Sequence, residues 1–169
     1  MLKPKKLTLI GLLAALAIVL SYVEMLLPPI YAAIPGIKLG LANVVSVILL
    51  YTLSVKETAL VTIVRVLTVA PIFGNFMTLV YSITGAVLSI AVMALLKRTS
   101  LFSTVGVSIA GGVCHNLGQI LVAILITSTA EIGYYMIFLC ISGILSGALI
   151  GIVGALVIKY TKNFKGWKL

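Results

Sequence analysis

The stretch Thr62-Ile63-Val64-Arg65-Val66-Leu67-Thr68 sets an arginine inside an apolar run, in a chain that is otherwise almost entirely apolar. An arginine at bilayer depth costs roughly 3 kcal/mol on translocon scales, and such residues face a partner, a cavity or a ligand. The fold therefore needs an interior that turns Arg65 away from lipid. Thr62 and Thr68, at i−3 and i+3, lie on its side of the helix. Two readings are open for Arg65: a structural guanidinium bonded to carbonyls of a neighbouring helix, or a charge that holds a ligand.

Working outward, composition identifies the solvent. Of 169 residues, 62% are hydrophobic and 9% charged, where a soluble domain carries about 25% charged residues. Mean hydropathy is +1.31. The net charge of +9 does not point to nucleic acid, because Lys and Arg fall in short clusters between apolar runs and form no basic face with interleaved aromatics. Cys114 and Cys140 lie within apolar runs without zinc or C-x-x-C spacing, and read as small buried hydrophobes.

The apolar runs divide the chain into six spans, at Leu7–Leu27, Leu39–Ser54, Thr58–Ile72, Phe76–Leu96, Thr104–Thr127 and Tyr134–Ile158. Four of them have the roughly 20 residues needed to cross a ~30 Å hydrocarbon core. Spans two and three reach only about 24 Å at 1.5 Å per residue, which makes them thin-sited, broken or re-entrant. Pro71 marks the end of span three, since it cannot donate to the helix and clashes with the preceding turn. The expected fold is an all-α polytopic membrane protein with six transmembrane helices, residues 1–169 forming a single integral membrane domain.

Lys3-Pro4-Lys5-Lys6 before span one imitates a secretory signal, but the run is long and more spans follow, so it reads as an uncleaved anchor. With the N-terminus in the cytoplasm, Lys3, Lys5, Lys6, Lys56, Lys97, Arg98, Lys159, Lys162, Lys165 and Lys168 fall inside and Lys38 falls outside. The positive-inside rule selects that orientation. The expected location is the plasma membrane of a bacterium, multi-pass, with both termini cytoplasmic. The segment Pro28–Lys38, with three prolines and a glycine, reads as a stiff outer loop. The tail from Asn163 to Leu169 places aromatics among lysines, which suits an interface with anionic lipid.

The acidic residues are Glu24, Glu57 and Glu131, and aspartate is absent. No aspartate-rich prenyl synthase motif can be built, there is no P-loop, and His115 has no metal cluster around it. A stand-alone enzyme is not expected, nor is a cofactor or a metal.

Three polar clusters are candidate sites. The first, Pro35-Gly36-Ile37-Lys38-Leu39-Gly40-Leu41-Ala42-Asn43, offers Lys38 near the outer interface and Asn43 about a turn deeper; a snorkelling lysine and a capping amide is the alternative. The second is Arg65. The third is Gly111-Gly112-Val113-Cys114-His115-Asn116-Leu117-Gly118-Gln119. There His115 and Gln119 share a face, with Gly111 one turn before and Asn116 offset by about 100°. Interhelical hydrogen bonding alone is the alternative for this cluster. Glu24 can pair with Lys38 or with Arg65, and Asn75 reads as a turn residue after Gly74. Gly143, Gly147, Gly151 and Ala155 form one small-residue face in span six, and span one carries Gly11 and Ala15 with Ala14 beside them. Each is open to two readings, packing within the chain or docking of a partner membrane protein.

The first and third clusters resemble the bacterial membrane family labelled "heptaprenyl diphosphate synthase component I", also called the Gx transporter family, over nearly the whole chain. The size and six-span plan are also similar to substrate-binding S components of energy-coupling factor (ECF) transporters. The S-component likeness implies capture of a small nutrient or precursor, with uptake driven by separate ATPase and coupling subunits. In that reading Gly11, Ala14 and Ala15 would face the coupling subunit. The synthase label implies an accessory membrane partner of a polyprenyl synthase in an isoprenoid pathway leading to menaquinone. The expected function is a substrate-binding transporter component, with Lys38, Arg65 and His115 favouring an anionic or electron-rich ligand and Asn43, Asn116 and Gln119 orienting it. The alternative is an accessory subunit of that synthase, or a scaffold for a redox complex.

Overall fold

The computed structural model describes residues 4–26 and 40–162, and these are helical throughout apart from short turns. Six α-helices follow one another: α1 (Pro4–Leu26), α2 (Asn43–Thr52), α3 (Val55–Phe73), α4 (Phe76–Thr99), α5 (Thr104–Thr127) and α6 (Met136–Lys162), with a short 3-10 helix (Ala130–Tyr135) before the last. Among the described residues there is no strand. Lys38, the Pro28–Lys38 segment and the tail from Asn163 lie outside the described residues.

The outer face is as apolar as the core, unlike that of a water-soluble bundle. Ser21, Ser46, Thr58, Thr62, Ser89 and Ser108 are buried, while Leu12, Leu125 and Leu145 are 65, 78 and 65% exposed. That distribution suits hydrocarbon outside and helix-to-helix hydrogen bonding inside. Four helical segments, Pro4–Leu26, Phe76–Thr99, Thr104–Thr127 and Ala130–Thr161, are long and apolar enough to cross a membrane.

The second expected span differs most from its outcome. Only ten residues of it are helical, about 15 Å, and with its flanking turns this segment returns the chain from Gly40, tied to Glu24, to the start of α3 beside Lys6. Its six residues Val45–Leu50 are all buried, as befits a helix that is apolar all round. On one side it joins Ile10, Leu13, Ala17 and Val61 of α1 and α3. On the other it joins Met93, Val107, Ile150 and Ile158 of α4, α5 and α6. Thus α2 is a plug inside the bundle. The chain enters it through the turn Gly40–Ala42, where Gly40 has φ +73°. Glu24 on α1 accepts a hydrogen bond from the Gly40 N–H, so this irregular backbone is satisfied within the protein.

Helix α3 carries Lys56, Glu57 and Arg65, and this charge keeps it off the set of apolar spans despite its 19 residues. It nevertheless runs parallel to α1 over the same length. Lys6 Nζ meets Glu57 Oε1 at 2.5 Å, and the Tyr22 and Phe73 rings lie 5.0 Å apart. Both pairs of ties are sixteen residues apart in sequence, about 24 Å of helix. Arg65 falls eight residues from Glu57 and eight from Phe73, halfway between the ties.

Pro71 does not end α3, which continues to Phe73 before Gly74 closes it by donating to the Ala70 carbonyl. Only the bond that a Pro71 N–H would make to Leu67 is lost, and its ring side is exposed. Asn75 is the turn residue expected: its Oδ1 caps α4 by accepting from the Thr78 N–H at 2.9 Å. The free thiols Cys114 and Cys140 are half-buried rather than buried.

The α4–α5–α6 half is assembled by glycines. A Cβ on Gly143 would lie 3.0 Å from the Val113 backbone, one on Gly147 2.7 Å from Ile109 Cα, and one on Gly151 2.7 Å from Val105 Cα. The span-six stripe is therefore packing within the chain, against α5, and is not free to dock a partner. In span one the outcome is the opposite: Gly11 has nothing within 4 Å of a built Cβ and Ala15 is exposed, whereas Ala14 is half-buried against the α1–α2–α3 cluster.

Candidate functional site

A cavity of about 110 Å³ lies above the start of α2, and all six α-helices contribute to its wall. Five candidates read from separate stretches of sequence, Asn43, Arg65, His115, Asn116 and Gln119, line it together, and Glu24 joins them. The sixth candidate, Lys38, lies outside the described residues.

Arg65 projects from the middle of α3, and its Nε is buried without a hydrogen-bond partner among the described residues. Its two threonine neighbours do not help it. Thr62 Oγ1 is 3.2 Å from Ser46 Oγ on α2, and Thr68 donates back to the Val64 carbonyl at 2.7 Å. Val66, Val69 and Ala70 are the α3 residues that share the cavity wall with it. An unpaired buried donor on a charged group costs free energy that an apolar residue in the same place would not. Glu24 shares the cavity wall with Arg65, but the ion pair among the described residues is Lys6–Glu57. Of the partners open to Glu24, the structure shows neither as a contact among the described residues; its carboxylate accepts from the Gly40 N–H instead.

Asn43 starts α2 and its amide sits over Gly40, where a Cβ would come within 2.9 Å of Nδ2 and 3.2 Å of Ile150 Cδ1. A side chain at position 40 would therefore both strain the backbone and enter this corner of the cavity. Gly40 and Asn43 are both in the wall, and the N–H groups of Asn43, Val44 and Val45 are bonded to the Gly40, Leu41 and Ala42 carbonyls of the entering turn.

The α5 cluster divides between two roles. Asn116 donates to the Leu139 carbonyl on α6 at 2.7 Å, so its amide nitrogen stitches helices together, as one of the two readings had it. His115 lies against α4, where a Cβ on Gly85 would come within 2.9 Å of its ring. Gln119 follows one turn later on the same wall. The glycines around them allow close approach: Gly112 meets the Gly143 carbonyl and Gly118 the Gly85 backbone.

Sequence reading passed over Ser21, Thr78, Ser82, Ser89, Ser108 and Ser146, which complete the polar wall. Thr78, Ser82 and Ser89 recur at i, i+4 and i+11, one helical face, and that spacing is the signal that could have found them. No group of three or more metal-ligating side chains is present among the described residues.

Beyond the cavity, the basic ends of the helices are tied at one end of the bundle. Lys6 and then Ser54 hydrogen-bond the Glu57 carboxylate and hold it well below the usual range, at about 2. Lys97 on α4 donates to the Leu50 carbonyl at the end of α2 and lies 5.2 Å from the Tyr51 ring.

Compared with protein families, residues 13–157 match the description heptaprenyl diphosphate synthase component I. The chain belongs to that family. The description names a component of a synthase and assigns no catalysis to this chain. No curated protein and no solved structure gives a match.

Proposed function

We propose that this component I family member is the substrate-binding membrane component of an uptake system for a small molecule bearing an anionic group. The observation that carries the reading is the buried, unpartnered Arg65 Nε beside a polar cavity. In a membrane interior such a charge is expensive and marks a substrate pathway. In this reading α3 crosses the bilayer beside α1, α2 is the buried plug, and the basic helix ends face the cytoplasm. The plan resembles ECF S components. The exposed Gly11 and Ala15 face would then meet a coupling subunit, itself driven by an ATPase.

A second reading is favoured by the family description. Here the chain is an accessory subunit that holds a soluble polyprenyl synthase at the membrane, and its cavity takes no substrate. Native purification separates the two. Tagged protein is extracted in mild detergent, and its partners and bound small molecules are identified by mass spectrometry. Uptake predicts ATPase and coupling subunits together with a small molecule that is lost in Arg65→Ala. Recovery of a synthase with no ligand overturns it.

A further inference from the structure

Resting on the uptake reading, the geometry points to a narrower ligand class: a small zwitterion of amino-acid size, its carboxylate at Arg65 and its cationic group at Glu24. Size gives the first limit. An engineered cavity of about 150 Å³ takes the six carbons of benzene, so about 110 Å³ accommodates roughly four to six non-hydrogen atoms. Molecules the size of glycine or alanine are of that order.

Charge gives the second limit. The charged residues of the described wall are Arg65 and Glu24, one of each sign, and the titratable His115 stands with them. The remaining polar residues are serines, Thr78 and amides. Glu24 uses Oε1 to accept the Gly40 N–H, and its other oxygen has no hydrogen bond among the described residues. Among the described residues the cavity thus holds an unused acceptor on a carboxylate and an unused donor on a guanidinium, and no ion pair joins the two. A simple anion would satisfy Arg65 and leave its charge beside that of Glu24. A diphosphate, with at least two negative charges, would face that repulsion more strongly. A zwitterion completes both groups at once and brings no net charge into the membrane interior.

The probes are matched pairs, given to the purified full-length chain in lipid nanodiscs. Glycine, alanine and serine are compared with their des-amino partners acetate, propionate and 3-hydroxypropionate, and pyrophosphate is added as the multiply charged probe, by calorimetric titration. The expected result is at least one amino acid binding ten-fold or more tightly than its des-amino partner. In Glu24→Gln that ratio falls towards one. The glutamine oxygen can still accept the Gly40 N–H, so the turn before α2 is retained. Arg65→Met removes binding of acid and zwitterion alike. Equal binding of acid and amino acid, tighter binding of pyrophosphate, or a ratio unmoved by Glu24→Gln each overturns the zwitterion. Those outcomes leave the uptake reading standing as long as Arg65→Met removes the binding. Binding that Arg65→Met leaves intact overturns both. Failure of every probe to bind overturns the zwitterion alone, because uptake is judged separately by the co-purified subunits and ligand.

Discussion

The two halves of this bundle are held by different chemistry. Between α5 and α6, and between α4 and α5, glycines let backbone touch backbone, and Asn116 adds a neutral hydrogen bond to the Leu139 carbonyl. Around α1, α2 and α3 the joints are polar: Lys6 with Glu57, Glu24 with the Gly40 N–H, Ser46 with Thr62. Close packing without charge makes a wall that has no second arrangement available to it. Polar joints tolerate alternatives, because water or a ligand can take the place of either partner. The cavity lies between these halves, with Arg65 and Glu24 on the adaptable side and His115 and Gln119 on the fixed one.

The contrast can be broken most severely at Gly147. A leucine there would drive into Ile109 Cα, which a built Cβ already meets at 2.7 Å. We expect a loss of about 3 kcal/mol or more, read as aggregation in size-exclusion chromatography or a large fall in melting temperature. Gly11→Leu, by comparison, should leave melting nearly unchanged, as its Cβ direction is open. Next comes Arg65→Met. Removing an unpartnered buried donor should hold stability constant or raise it by about 1 kcal/mol while abolishing ligand binding, and a collapse in melting temperature would instead make Arg65 structural. Asn116→Ala removes the bond to the Leu139 carbonyl and should cost about 0.6 kcal/mol, with ligand affinity changed less than in Gln119→Ala.

Smallest is the effect of acid. The folded Glu57 carboxyl is depressed from 4.5 to about 2, so its contribution is complete above the unfolded value. It is lost as pH falls from 4.5 towards about 2. Melting curves of wild type and Glu57→Gln should therefore differ slightly at neutral pH and converge below that window. A difference that persists at pH 2 would mean Lys6 is not its source.

How far the sequence led depends on which force acted. Long apolar runs gave α1, α4, α5 and α6 within a few residues, because a crossing helix must be apolar along its length. The run from Leu39 was apolar for another reason. Its residues are buried in protein on every side, and hydropathy does not distinguish burial in protein from burial in lipid. Arg65, His115 and Gln119 stood out because polar groups are rare in such a chain. Serines of the cavity wall did not, since a serine is cheap in a helix and occurs throughout the spans. Asn116 was legible as polar, but its bond to Leu139 depends on how α6 is placed, which no local pattern encodes.

The equal sixteen-residue intervals between the ties of α1 and α3 carry an evolutionary constraint. Deleting one residue between Glu57 and Arg65 would swing the guanidinium by about 100°, out of the chamber and towards the acyl chains. It would also part the Tyr22 and Phe73 rings. Natural variation in this parallel pair should thus proceed by substitution, with insertions and deletions confined to the connections between helices.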